Sequence, residues 1–167
     1  VGDGLIIQIA EPQIVKWLTE QAITAGQDIG KDMSNYRVMV AAPAYTGPTN
    51  KNLEKVKWFP AMVGNHVADI VEKYGKDTDE VPKSLTAYIE KRRGYDYSKH
   101  GQSDNPYLDF ITDDVVESFC VLGEPEAHVE KLKVLENNGA TQFNIYLDNG
   151  DEEKIIADYG EKIIPHF

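Results

Sequence analysis

Cysteine occurs once in 167 residues, as Cys120, so the chain cannot close an internal disulfide. Nothing in it calls for an oxidising compartment, and a reducing, cytoplasmic setting is expected. Basic residues are also scarce, with 17 Lys plus Arg against 28 Asp plus Glu and a formal net charge of −11. The deficit lies in the second half: residues 84–167 carry 8 basic and 17 acidic side chains, against 9 and 11 in residues 1–83. Such a surface repels phosphate backbones and anionic lipids, so neither nucleic acid nor a membrane is expected as a partner. No apolar run approaches the ~20 residues that span a bilayer, and no basic segment leads into an apolar one as a secretory leader would. There is no Gly-x-Ser-x-Gly elbow and no Walker loop. The four histidines, His66, His100, His128 and His166, lack the close pairing or cysteine partners of metal sites, so no metal is expected.

What remains is the composition of an ordinary globular domain, 41% hydrophobic and 27% charged. A chain of this length buries roughly 70% of its unfolded surface, so a core needs neither metal nor disulfide. The sequence starts Val1-Gly2-Asp3-Gly4 and enters an apolar run at once, as expected of a piece cut from something longer. Leu5 to Ala10 is short, apolar and β-branched, the pattern of a strand buried on both faces. Pro12 then opens a helix whose Ile14, Val15, Leu18, Ala22 and Ala25 recur at helical spacing before Gly26. Tyr36 to Ala42 is a second strand, ended by Pro43 and the turn residues Thr46, Gly47 and Pro48.

Residues 49–111 form an expected insertion. Leu53 to Lys57, Pro60 to Tyr74 and Pro82 to Arg93 have helical character, and Gly94 to Pro106 that of an ordered loop. Thr112, Asp113 and Asp114 are placed to cap a short helix by side-chain oxygen and favourable dipole, and a brief apolar passage, Phe119 to Leu122, follows. Gly123-Glu124-Pro125-Glu126 starts a helix striped by Val129, Leu132 and Leu135 and closed by Asn138-Gly139. Thr141 to Leu147 is a third strand, and Ile155, Ile156 and Tyr159 mark a last helix. Strands joined by helical crossovers make parallel sheet. Three apolar parallel strands alone would leave long open edges, whereas three units at the C-terminal end of a (β/α)8 barrel would not. The expectation is an α/β fold, the C-terminal part of one TIM barrel, with residues 1–167 as a single domain.

Several stretches together resemble a known family. They are Val1-Gly2-Asp3-Gly4-Leu5-Ile6, the turn at 25–29, Tyr36 to Ala42, and above all Cys120-Val121-Leu122-Gly123-Glu124-Pro125-Glu126 followed by Gly139 to Tyr146. This ordered set is similar to the C-terminal portion of luciferase-like flavin-dependent oxidoreductases, which use FMN or the deazaflavin coenzyme F420. The resemblance implies that the three strands are the sixth, seventh and eighth of a barrel. It also implies FMN as cofactor, with F420 the alternative, for hydride transfer or oxygenation of a small-molecule substrate. A missing N-terminal barrel half or a second copy would be the partner. The rival readings are a non-catalytic α/β fragment that docks on a partner barrel or oligomerises, and another phosphate-binding barrel enzyme.

Barrel chemistry sits where strands end. That points to Gln8 and Glu11, to Ala44, Tyr45 and Thr46, and to Asp148 and Asn149, although Glu11 beside Pro12 is more simply a helix-start carboxylate. Within the insertion, Arg92 and Arg93 are two of only three arginines and directly precede Tyr95, Tyr97 and His100. Guanidinium forks suit phosphate or carboxylate, and Tyr and His supply flat walls, so these five are expected to form a lid that binds an anionic cofactor or substrate. The simpler alternative is a cationic helix end followed by a solvated loop. His66 either reaches the barrel mouth or packs as a hydrogen-bonded histidine, and His128 and His166 are expected at the surface. Cys120, with no neighbouring cation in the sequence, is expected to be a buried hydrophobe rather than a nucleophile.

Overall fold

Among the described residues there are four strands, all parallel: β1 (Gly4–Ile7), β2 (Arg37–Thr46), β3 (Val121–Gly123) and β4 (Gln142–Tyr146). They belong to a computed structural model that describes residues 2–74, 111–147 and 150–167. The expected helix Pro82–Arg93, the loop Gly94–Pro106, and Asp148 and Asn149 lie outside the described residues.

The sheet is organised by β2, which is longer than the expected Tyr36–Ala42 and passes through Pro43. Its first residues pair with β1 (Gly4 with Arg37, Ile7 with Val40) and its middle with β4 (Met39 with Gln142, Pro43 with Tyr146). The ladder to β4 stops at Pro43, which has no N–H to give, and pairing to β3 begins at Ala44 opposite Val121. Proline therefore ends one ladder without ending the strand. The end of the passage Phe119 to Leu122 is the source of the extra strand: Val121, Leu122 and the following Gly123 suffice to pair beside β2, so the expected count of three is corrected to four among the described residues.

Paired residues of parallel strands share a sheet face, and register therefore sorts the side chains. One face carries Leu5, Ile7, Val38, Val40, Ala42, Ala44, Val121, Phe143 and Ile145. Most of these are fully buried and form the core with Ile14, Val15, Leu135, Ile155 and Ile163 from the helices. The other face carries Ile6, Met39, Ala41, Pro43, Tyr45, Leu122, Gln142, Asn144 and Tyr146. It is the mixed face, with Ile6 64% exposed at one end and Tyr45 buried at the other.

Helix α1 (Pro12–Asp28) starts as its sequence dictates, with Pro12 in the first turn and the Glu11 side chain accepting from the Ile14 N–H at 2.6 Å. It does not stop at Gly26. The absent Cβ there makes room for Met33, whose Sδ would lie 2.3 Å from such a carbon. The helix closes instead at Gly30, φ +74°, with Gly30 N–H bonded to Gln27 O and Lys31 N–H to Gly26 O. Helices α2 (Thr49–Val56) and α3 (Trp58–Tyr74) follow β2, each beginning earlier than its apolar residues suggested.

Helix α4 (Asp113–Phe119) has the expected acidic first turn, but the Thr112 side chain makes no capping bond; its carbonyl receives Val115 and Val116 N–H, so the expected side-chain cap is corrected to a backbone one. Helix α5 (Pro125–Asn137) closes at Asn138-Gly139 as expected, Gly139 N–H bonding Glu136 O and Ala140 N–H bonding Leu135 O. Helix α6 (Glu152–Asp158) runs into one π-type turn (Tyr159–Ile163) and a 3-10 turn (Ile164–His166). Of the three apolar residues that mark it, Ile155 and Tyr159 are buried, whereas Ile156 is 60% exposed.

Candidate functional site

Two strand ends on the mixed face are joined by a side-chain pair. Gln8 follows β1, Tyr146 ends β4, and β2 lies between them, since Met39 and Val40 each pair with both neighbours. The Gln8 Nε2–H donates to the Tyr146 hydroxyl oxygen at 2.8 Å across the head of β2. The Tyr146 ring is held from its other side by Phe59 of α3, centroids 5.7 Å apart and edge to face, and Phe59 in turn meets Trp58. Phe59 is fully buried, so the first turn of α3 roofs this end of the sheet. Neither the Gln8 nor the Tyr146 side chain has a further hydrogen-bond partner among the described residues. The carboxamide keeps its Oε1 acceptor, and the phenol keeps its proton.

Tyr45 and Thr46, at the end of β2, lie in a different environment. Tyr45 is buried, with Lys55 Nζ 5.3 Å from its ring centroid, and its carbonyl faces His128 Nε2 at 3.2 Å. A carbonyl only accepts, so Nε2 carries the proton; Nδ1, bare in the neutral ring, accepts from the Tyr159 hydroxyl at 3.0 Å. His128 is completely buried, and burial pushes its pKa down to about 4. The expectation of a surface His128 is thus corrected. It lies on the Leu132–Leu135 stripe of α5, where its polar type disguised a core position.

The Thr46 hydroxyl donates to Asp158 Oδ2 at 2.6 Å and receives Lys154 Nζ at 2.7 Å. Lys154 and Lys162 both contact the Asp158 carboxylate at 2.6 Å. These two ammonium donors, with Thr46, hold the Asp158 carboxyl far below the usual carboxylate range. Lys55 similarly bonds Asp151 at 2.5 Å. The cations around the end of β2 are therefore committed to carboxylates.

Glu11 is the helix cap its sequence suggested; burial raises its pKa, opposed by the Ile14 and Gln13 N–H groups. Cys120 is fully buried and its thiol pKa is pushed up by desolvation, as expected of an inert core thiol. Sequence reasoning passed over Lys131. It is half-buried, its pKa brought down to about 8 by desolvation, and its ammonium donates to Glu117 O at 2.6 Å, Ser118 O at 2.9 Å and Cys120 O. All three protons of that ammonium serve the carbonyls that end α4, which makes it a helix-end clamp. His66 and His166 are exposed. Arg92, Arg93, Tyr95, Tyr97 and His100 lie outside the described residues, and no group of three or more metal-ligating side chains occurs among those described.

A cavity of about 560 Å³ opens on the opposite, helix-facing side, walled by Leu132, Leu135, Phe143, Ile145, Ile156 and Phe167. It is mainly apolar and lies on the face of β4 opposite to the one that carries the Gln8–Tyr146 pair.

The profile of the luciferase-like monooxygenase family matches residues 1–142, and the chain belongs to that family. A curated relative, the 5,10-methylenetetrahydromethanopterin reductase of Methanopyrus kandleri, is 24% identical over all of this chain and 46% of its own length. The solved structure of the coenzyme F420-dependent tetrahydromethanopterin reductase from the same organism superposes with a TM-score of 0.68 at 22% identity, covering 100% of this chain and 46% of that one. An F420-dependent secondary alcohol dehydrogenase, solved with an F420–acetone adduct, gives 0.60 at 16% identity over 99% of this chain and 43% of that one. The fold is thus the parallel α/β fold of luciferase-like TIM-barrel enzymes, and the chain spans about half the length of the relatives it matches. Among the described residues, no helix is long and apolar enough to cross a membrane.

Proposed function

We propose that the chain forms the C-terminal part of a (β/α)8 oxidoreductase that transfers hydride between coenzyme F420 and a small-molecule substrate in the cytoplasm. The observation that carries this reading is the Gln8–Tyr146 pair, which sits on the mixed sheet face at strand C-terminal ends, where barrels of this fold place their chemistry. F420 is preferred to FMN, the other cofactor of the family, because both solved relatives described above are F420-dependent. The residues present fit the ring end of such a cofactor: an uncharged donor and acceptor pair stands beside apolar Ile6 and Met39. The lysines at the end of β2 are bound to carboxylates and offer little to a phosphate tail.

F420, when bound, supplies the hydride-carrying centre. The chain's own part is to bind and orient. Gln8 and Tyr146 hydrogen-bond to polar edges, while Phe59 and Trp58 exclude water from the roof of the site. Arg92, Arg93, Tyr95, Tyr97 and His100 are proposed as the anion-binding lid, and Tyr45, on the mixed face, as the wall behind the ligand. Loss of one guanidinium fork by Arg92→Ala or Arg93→Ala should weaken ligand binding about ten- to a hundredfold at unchanged melting temperature. The test of the function is titration of the complete protein with F420 and, separately, FMN, followed by absorbance and fluorescence. Saturable F420 binding with weaker or no FMN binding is expected; binding of neither would remove the reading.

A further inference from the structure

We propose that Tyr146 is a positioning residue that fixes which way round the Gln8 carboxamide sits, so that Gln8 offers its Oε1, and Tyr146 its O–H, to a cyclic amide edge of the ligand. The inference rests on the F420 reading above and deepens it.

An exposed glutamine side chain turns freely about its last torsion, presenting oxygen or nitrogen to a ligand with little preference. Here that freedom is removed. The Nε2–H donates to a phenol oxygen 2.8 Å away, which leaves Oε1 on the other edge of the planar carboxamide. The phenol is itself held, because its ring lies edge to face with the buried Phe59 and its backbone is in register with Pro43 of β2. A hydroxyl that accepts from Gln8 directs its own proton elsewhere, and among the described residues nothing receives it. The result is one acceptor and one donor, both uncharged, side by side between two strand ends. Their complement is an N–H adjacent to a C=O within a ring. The pyrimidinedione edge of a deazaflavin has that pattern, and so does the lactam edge of a pterin.

The test uses three variants of the complete protein: Tyr146→Phe, which keeps the ring against Phe59, Gln8→Leu, and the double variant. F420 is titrated alone, and methylenetetrahydromethanopterin is used as the second probe at saturating F420. Tyr146→Phe should leave the melting temperature within about 2 °C of wild type, because a partly exposed hydroxyl is lost and no cavity is made. It should weaken one of the two probes by about five- to tenfold. A higher Kd for F420 assigns the edge to the cofactor ring; an unchanged Kd with a raised pterin KM assigns it to the substrate. In either case the loss in the double variant should be smaller than the product of the two single losses, since part of the tyrosine's effect runs through the glutamine. Unchanged binding of both probes in Tyr146→Phe, or losses that multiply in the double variant, would overturn the positioning role while leaving the F420 reading intact. A wild-type protein that binds no F420 would overturn both.

Discussion

His128 and Asp158 show two opposite ways for a buried polar residue to be tolerated at the same strand end. His128 is kept neutral, each ring nitrogen matched to a partner that suits the neutral tautomer. Asp158 is kept charged by two ammonium groups and a hydroxyl. Their pH signatures have the same sign. The folded-state pKa of His128 is about 4, below the ordinary 6.5, so as the pH falls from about 6.5 to 4 the unfolded chain takes up a proton that the folded chain refuses. Stability should drop on the order of 3 kcal/mol across that window, measurable as denaturant midpoints at fixed pH. Replacing the imidazole by His128→Ala should flatten this slope and cost about 2–4 kcal/mol at pH 7 through a cavity and two lost buried hydrogen bonds. The depressed pKa of Asp158 adds stability that is present above the ordinary carboxylate pKa and is lost as the pH falls below it. Asp158→Ala should lower stability by about 1.5–3 kcal/mol at pH 7, read in the same denaturant experiment.

Helix ends allow a sharper contrast at the level of elements. Gly30 and Gly139 both terminate helices with positive φ, +74° and +100°, but a Cβ at Gly30 would meet open space whereas one at Gly139 would lie 2.9 Å from Thr19 Cγ2. Gly30→Ala should therefore cost about 1 kcal/mol for backbone strain alone, and Gly139→Ala clearly more, because α5 must also move off α1. Thermal unfolding of the two variants side by side checks the order.

Local chemistry made these features legible: the Pro12 start, the Asn138-Gly139 stop and the alternation of β4 all appear in the residues themselves. What stayed hidden depended on tertiary pairing. Val121–Gly123 is too short to announce itself as a strand and becomes one only beside Ala44–Thr46. His128 looked like a charged-face residue until α5 was rotated by its apolar neighbours. Gln8 was reached by counting to a strand end, but its partner was not, because a link between positions 8 and 146 arises only from β1 and β4 flanking β2 in the sheet.

At the scale of the whole molecule, the sheet formed by the described residues is open. Among the described residues β1 and β4 pair only with β2, Ile6 stands 64% exposed on one face, and Ile156, Ile164 and Phe167 are about as exposed around the apolar cavity on the other. Further parallel strands and helices of a barrel would cover both, which accords with a chain spanning about half the length of its relatives. On the proposed function the barrel architecture divides the labour: the helix-facing surface holds the fold together, and the mixed face is the one proposed to meet the ligand. That division is tested most directly by a structure of the complete protein with F420 and substrate bound. The account predicts the ligands at the C-terminal mouth, with a ring N–H or C=O within hydrogen-bond distance of Gln8 or Tyr146. Ligands seated in the apolar cavity beside Leu135 and Phe143, or at the mouth but out of reach of both residues, would contradict it.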